Sequence, residues 1–302
     1  MKILVPVDGS TSSKAALRFV AARFAGARRR LTIELLNVQP PIPARPARFL
    51  GKQTVQAYHD AESNKVLAPA LAALSEAGVP ARATSVVGQP GAAVSDAARG
   101  VDLVVMGARG RTATAGLLLG SVTNTVLASS RTPILVLRGQ ARAMAKASDA
   151  APRVGVAIDG SEYGLAAVRY VIKNRDLFGP VPDLALIHVV PDFRAAYVPG
   201  LARMPTRTFS PEQTTAHQTA AFEAAVAPAR KLLKRAGLEA PEVRLISNAP
   251  GEEIAAYARK NKLDMLVIGS RGHGAIASLV LGSVATRVAA RCDTPLLLVR
   301  GT

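Results

Sequence analysis

With 302 residues the chain has room for two α/β domains with separate cores, and 49% hydrophobic against 20% charged residues excludes the disordered and fibrous classes. No run of 18 apolar residues occurs, and the apolar start after Lys2 breaks at Asp8, too early for a signal-peptide core, so a cytoplasmic protein without membrane insertion is expected. The net charge of +17 raises nucleic acid as a partner, but basic residues are spread, 19 against 8 acidic up to Ala150 and 19 against 13 beyond, and with 4% aromatics and no Trp the composition argues against it.

From the N-terminus, ILVPV reads as a short strand ending in VDGS at residues 7–10, and SSKAALRFVAARFAG follows with apolar residues at helical spacing. Arg28, Arg29 and Arg30 form the densest basic run and read as a solvated turn before the strand TIELLNV. Residues 39–53 are Pro-rich and predict an irregular connection, or a flap over a ligand, since they leave a strand's C-terminal edge. The strand ARATSVV, the helix GAAVSDAARG and the strand DLVVMG follow. The last of these runs into GARG, residues 107–110, and nine residues later Gly120 and Ser121 open the helix SVTNTVLASS before a final strand, PILVLR. Strands apolar on both faces, alternating with helices, predict a five-stranded, doubly wound parallel sheet covered on both sides.

The pattern then repeats. KILVPVDGS at 2–10 returns as RVGVAIDGS at 153–161, LLNV at 35–38 as LIHV at 186–189, and QPG at 89–91 as APG at 249–251. DLVVMGARG at 102–110 returns as DMLVIGSRG at 264–272, and TPILVLRG at 132–139 as TPLLLVRG at 294–301. Such self-similarity marks a tandem duplication. The Ala-rich segment 139–152 reads as the connection, giving domains 1–140 and 152–302 around a linker at 141–151. A second Pro-rich connection occupies 190–211. Cys292 is the single cysteine, which rules out an intrachain disulfide, and reads as a small buried hydrophobe.

The spacing G-x2-G-x9-G-S occurs twice without drift, at Gly107, Gly110, Gly120 and Ser121 and at Gly269, Gly272, Gly282 and Ser283. Glycines let a backbone approach an anion, and a helix start offers unpaired N–H groups and partial positive charge. Ser121 and Ser283 read as N-caps or phosphate ligands. Ligands of open α/β sheets bind beyond the carboxyl ends of the strands, where both elements are placed. No G-x-x-x-x-G-K-[ST] is present, and GHGAIA at 272–277 matches a dinucleotide fingerprint only in one copy and away from a first βα turn.

Taken together, VDGS and IDGS, the duplicated glycine elements and the closing TPILVLR and TPLLLVR resemble the universal stress protein family in its tandem-domain form. The resemblance implies two Rossmann-like, adenine nucleotide alpha hydrolase-like domains of strand order 3-2-1-4-5. It also implies ATP as ligand, with magnesium as an option, and pairing through the last strands within one chain, a homodimer being a further option. It assigns phosphate contacts to Gly107, Gly110, Gly120, Ser121 and Val122, and to Gly269, Gly272, Gly282, Ser283 and Val284. Asp8 and Asp159 would face the nucleoside or a phosphate-bound metal; Val38 and Val189, with Met106 and Ile268 beside them, would stand on the adenine side; Arg109 and Arg271 would reach phosphates or solvent. Thr123 is matched by Ala285 and Arg111 by His273, from which a tighter first site is expected.

Neither phosphate loop carries an acid or base in both copies, and Asp8 and Asp159 are the only candidates for a base or metal ligand that recur in both. His59, His188, His217 and His273 lack metal-ligand spacing, and His188, in place of Asn37, reads as packed or hydrogen-bonded. The leading expectation is therefore a nucleotide-dependent stress or signalling module without strong catalysis, acting on a protein partner that the sequence does not identify. The alternatives are a slow ATPase and a basic nucleic-acid-associated protein.

Overall fold

A computed structural model describes residues 1–25, 31–43, 51–110, 119–138, 151–178, 182–192, 210–272 and 281–301. Arg28–Arg30, linker positions 139–150, residues 44–50 of the first Pro-rich connection and 193–209 of the second lie outside them, as do Arg111 and His273.

The N-terminal half runs β1 (Lys2–Pro6), α1 (Thr11–Phe24), β2 (Thr32–Gln39), α2 (Lys52–Glu76), β3 (Ala81–Val87), α3 (Pro90–Ala98), β4 (Leu103–Gly107), α4 (Ser121–Ser129) and β5 (Ile134–Leu137). The C-terminal half runs β6 (Arg153–Ala157), α5 (Glu162–Lys173), the single turn α6 (Arg175–Phe178), β7 (Asp183–Val190), α7 (Pro211–Arg235), β8 (Glu242–Ile246), α8 (Pro250–Lys260), β9 (Met265–Gly269), α9 (Ser283–Arg291) and β10 (Leu296–Val299). The DGS segments start both first helices: Ser10 Oγ accepts from Ser13 N at 3.1 Å and Ser161 Oγ from Gly164 N at 3.2 Å, each satisfying an orphan donor.

All strands join one sheet of order β3-β2-β1-β4-β5-β10-β9-β6-β7-β8. Each half thus has the order 3-2-1-4-5, and the last strands meet antiparallel in the middle, with Leu297 opposite Leu135. These short strands are apolar on both faces because both faces are covered. Leu135, Leu137, Leu297 and Val299 belong to one core, and Ile134, Val136, Leu296 and Leu298 to the other, so each core runs unbroken across the seam.

The arginines that end the two repeats tie the seam. Arg138 Nη2 donates to the carbonyls of Ala289 (2.7 Å) and Ala290 (3.0 Å) at the C-terminus of α9, and its Nε lies 3.8 Å from Asp293. Reciprocally, Arg300 Nη2 donates to the carbonyl of Leu127 near the end of α4. Each half caps the other's last helix, where orphan carbonyls and the helix dipole favour a cation. Burial pushes both guanidinium groups below their ordinary range. Away from the seam strands, Arg23 Nε on α1 donates to the Leu177 carbonyl on α6 at 2.7 Å.

The first turns of α1 and α5 rest on the ends of β4 and β9. A Cβ at Gly107 would lie 2.6 Å from the carbonyl carbon of Ser12, and one at Gly269 would lie 2.5 Å from the Tyr163 carbonyl oxygen. Because the obstacle is backbone, Gly107→Ala should destabilise the protein by about 1–3 kcal/mol. Denaturant unfolding checks this, and an unchanged midpoint would contradict the packing described. Among the described residues no helix is long and apolar enough to cross a membrane.

Candidate functional site

Beyond β1, Asp8 Oδ1 accepts from Ser10 N at 3.0 Å, and Ser10 Oγ donates to the Arg109 carbonyl at 3.3 Å. The loop after the first strand is thereby fastened to the GARG turn after the fourth. In the second half Asp159 Oδ1 accepts from Ser161 N (3.0 Å) and Ser161 Oγ (2.5 Å). The other carboxylate oxygen in each case stands over the matching glycine: a Cβ at Gly110 would lie 2.8 Å from Asp8 Oδ2, and one at Gly272 would collide with Asp159 Oδ2.

The third glycine of each element closes onto the same turn. Gly120 N donates to the Ala108 carbonyl and Gly282 N to the Ser270 carbonyl, both at 2.8 Å. A Cβ there would lie 3.3 Å from Arg109 Cα or 3.1 Å from Arg271 Cα. Gly120 and Gly282 are themselves the N-caps, and neither helix start receives a side-chain cap. The N-cap alternative for Ser121 and Ser283 is therefore not realised: both are first helical residues, behind a glycine that has no side chain to cap the leading N–H groups of α4 and α9.

Thr123 also differs from expectation. Its buried hydroxyl donates to the Gly107 carbonyl at 3.0 Å, so the group missing at Ala285 is a tether between helix and strand. The argument for a tighter first site loses this support. Thr123→Val should lower stability by about 0.5–1.5 kcal/mol, with the affinity for any ligand at the helix start unchanged. Thermal unfolding and calorimetry on one preparation separate the two, and a selective affinity loss would restore the ligand role.

In the second half Asp159, Val189, Ile268, Gly269, Arg271, Gly272, Gly282, Ser283 and Val284 all line one cleft of about 640 Å³, within the usual range for small-ligand sites. Glycine and serine backbone forms one end, and Val189 and Ile268 supply apolar wall. Pro191, Pro250 and Ile254 complete that wall; the APG repeat at the start of α8 was the available sequence signal for Pro250. In the first half, the contacts above bring Asp8, Gly107, Arg109, Gly110 and Gly120 together, with Ser121 and Val122 opening α4. Val38 and Val122 flank a core that contains Met106.

The two arginines are not equivalent. Arg271 stacks over Tyr163, with Cζ 5.7 Å from the ring centroid and Nη1 3.3 Å from the hydroxyl. Position 12 holds Ser where Tyr163 stands in the second copy, and Arg109 Nε is buried with no hydrogen-bond partner among the described residues. On β7, His188 Nδ1 lies 2.8 Å from the Ile158 carbonyl, as expected of a hydrogen-bonded residue, and Asn37 Nδ2 donates to the matching Val7 carbonyl at 2.7 Å. Cys292 is buried, and desolvation pushes its thiol pKa up, which suits a packing role.

The family model described as the universal stress protein family matches residues 1–138 and again 151–300. A universal stress protein of Mycolicibacterium smegmatis is 30% identical over 311 aligned positions, covering 99% of this chain and 96% of its own. One from Mycobacterium tuberculosis is 25% identical, with coverage of 99% and 96%. Among solved structures, a universal stress protein from Archaeoglobus fulgidus superposes with a TM-score of 0.70 at 20% identity, over 100% of this chain and 98% of that one.

Proposed function

Because the chain belongs to the universal stress protein family, with that family's domain present twice, we propose that each half binds an adenine nucleotide, ATP foremost, with its phosphates on the uncapped helix start. The observation that carries the proposal is the second-half cleft: nine positions that the family resemblance assigned line one cavity of about 640 Å³. Its polar end consists of backbone N–H groups at a helix N-terminus, which favour anions, and its apolar walls suit a flat base. Arg109 Nε, buried and without a hydrogen-bond partner among the described residues, adds support in the first half. Leaving such a donor unsatisfied costs about 1–3 kcal/mol, which a phosphate oxygen would offset. Magnesium would come with the phosphates, and Asp8 and Asp159, beside the glycine turns, are the carboxylates that would stand near it.

Binding rather than turnover is the reading favoured here. Asp8 and Asp159 each spend one oxygen holding the loop that starts the next helix, a positioning task, and the phosphate loops offer no acid or base common to both copies. Occupancy of a cleft built on α4 or α9 would instead stiffen those helices and alter the surface offered to a protein partner. Isothermal calorimetry with ATP and magnesium tests the proposal: two nucleotides per chain, recovered unhydrolysed, are expected, and absence of binding would return the glycines to turn chemistry.

A further inference from the structure

Resting on the nucleotide reading, the base-side walls of the two halves differ in a way that gives them unequal selectivity. In the first half Asn37 is sealed: it is 2% exposed, its Nδ2 donates to the Val7 carbonyl at 2.7 Å, and its Oδ1 accepts from Gln39 Nε2 at 2.7 Å. At the matching place in the second half stands His188, half-buried and lining the cleft, while the counterpart of Gln39 is Val190, fully buried. A carbonyl oxygen only accepts, so the 2.8 Å contact with Ile158 O requires the proton on His188 Nδ1. With the proton on Nδ1, the imidazole in its neutral form carries its lone pair on Nε2, which has no hydrogen-bond partner among the described residues. Phe222 packs beside the ring, with centroids 6.1 Å apart, and holds its orientation.

Strand order places this acceptor. β6 lies between β9 and β7, so His188 is two strand spacings, roughly 10 Å, from the strand that leads into the glycine turn. That separation takes it beyond the phosphates to the nucleoside. We infer that His188 Nε2 is a specificity-determining acceptor of the second-half cleft, taking a hydrogen bond from a donor on the nucleoside, either a ribose hydroxyl or the base's exocyclic amine, and that the first half has no equivalent.

The test uses the full chain with histidine labelled by ¹⁵N, the His188 signals being identified by their loss in His188→Asn. Adding ATP should move the His188 Nε2 resonance to lower frequency, as for an acceptor gaining a hydrogen bond, and leave its Nδ1 signal in place. In calorimetry, His188→Phe should weaken ATP roughly two- to tenfold at the second-half site alone, the range of one neutral hydrogen bond. 2′-Deoxy-ATP, 3′-deoxy-ATP and inosine triphosphate identify the donor: the analogue that lacks it should bind wild type and His188→Phe equally. Two bound nucleotides with an unmoved Nε2 resonance would overturn this inference and leave the nucleotide reading standing; no binding at either site would overturn both. Should His188→Phe fold poorly, the wild-type spectra decide alone.

Discussion

Gly120→Asp is expected to abolish ATP binding in the first half and Gly282→Asp in the second, each lowering the stoichiometry from two to one. Both glycines are N-caps in extended conformation, φ −73° with ψ 159° and φ −64° with ψ 155°, which aspartate adopts readily. Asp is also among the better N-cap residues, so the helices should persist. Its carboxylate would take the N–H groups proposed for the phosphates and repel them. Losing two charge-assisted hydrogen bonds, at about 1.5–3 kcal/mol each, weakens binding by at least a hundredfold. The β-carbon alone brings a smaller steric effect, since it would meet Arg109 Cα at 3.3 Å or Arg271 Cα at 3.1 Å. Gly120→Ala isolates that part. Calorimetry beside thermal unfolding reads out both, and variants that fold and keep two sites would sink the phosphate cradle.

The second large effect concerns the seam. Arg138→Ala combined with Arg300→Ala should destabilise the chain by about 3–6 kcal/mol, the sum of two sets of hydrogen bonds to charged donors. The loss has a structural cause in each half: carbonyls of Ala289 and Ala290 at one helix end, and of Leu127 at the other, lose their cation. Asp293 is left with one fewer partner, a small term because its side chain is 79% exposed. Lysine at both positions should recover only part of the stability, because an ammonium is a single donor centre, whereas Arg138 reaches the two carbonyls through Nη2 and Asp293 through Nε. Denaturant unfolding of single and double variants checks this. If the double variant matched wild type, the seam would be held by Leu135, Leu297 and their neighbours alone.

The duplication, the βα alternation and the glycine spacing were legible in sequence because each rests on local pattern: ILVL and LLLV had to be buried on both faces, and G-x2-G-x9-G-S recurred without drift. Asp8, Gly110 and Gly120 could be named as neighbours because motif order and sheet topology place them at one strand edge. Side-chain roles were less legible. Ser121 had the residue type of an N-cap, yet the backbone starts the helix one residue earlier; Thr123 had the type of a phosphate ligand, yet its hydroxyl turns to the Gly107 carbonyl. Rotamers answer to packing, which a linear pattern does not carry.

By itself the sequence determined that two copies of one doubly wound unit exist, where their strands lie and which backbone segments approach closely, since hydrophobic period and glycine placement are properties of neighbours along the chain. The merging of the two sheets through β5 and β10 was an expectation of the family resemblance; only the tertiary structure decided that Arg138 and Arg300 cap each other's halves, that Arg271 stacks on Tyr163, and that His188 meets the Ile158 carbonyl. Those features join residues more than a hundred positions apart or turn on the direction of one side chain, and both are set by how the folded layers meet.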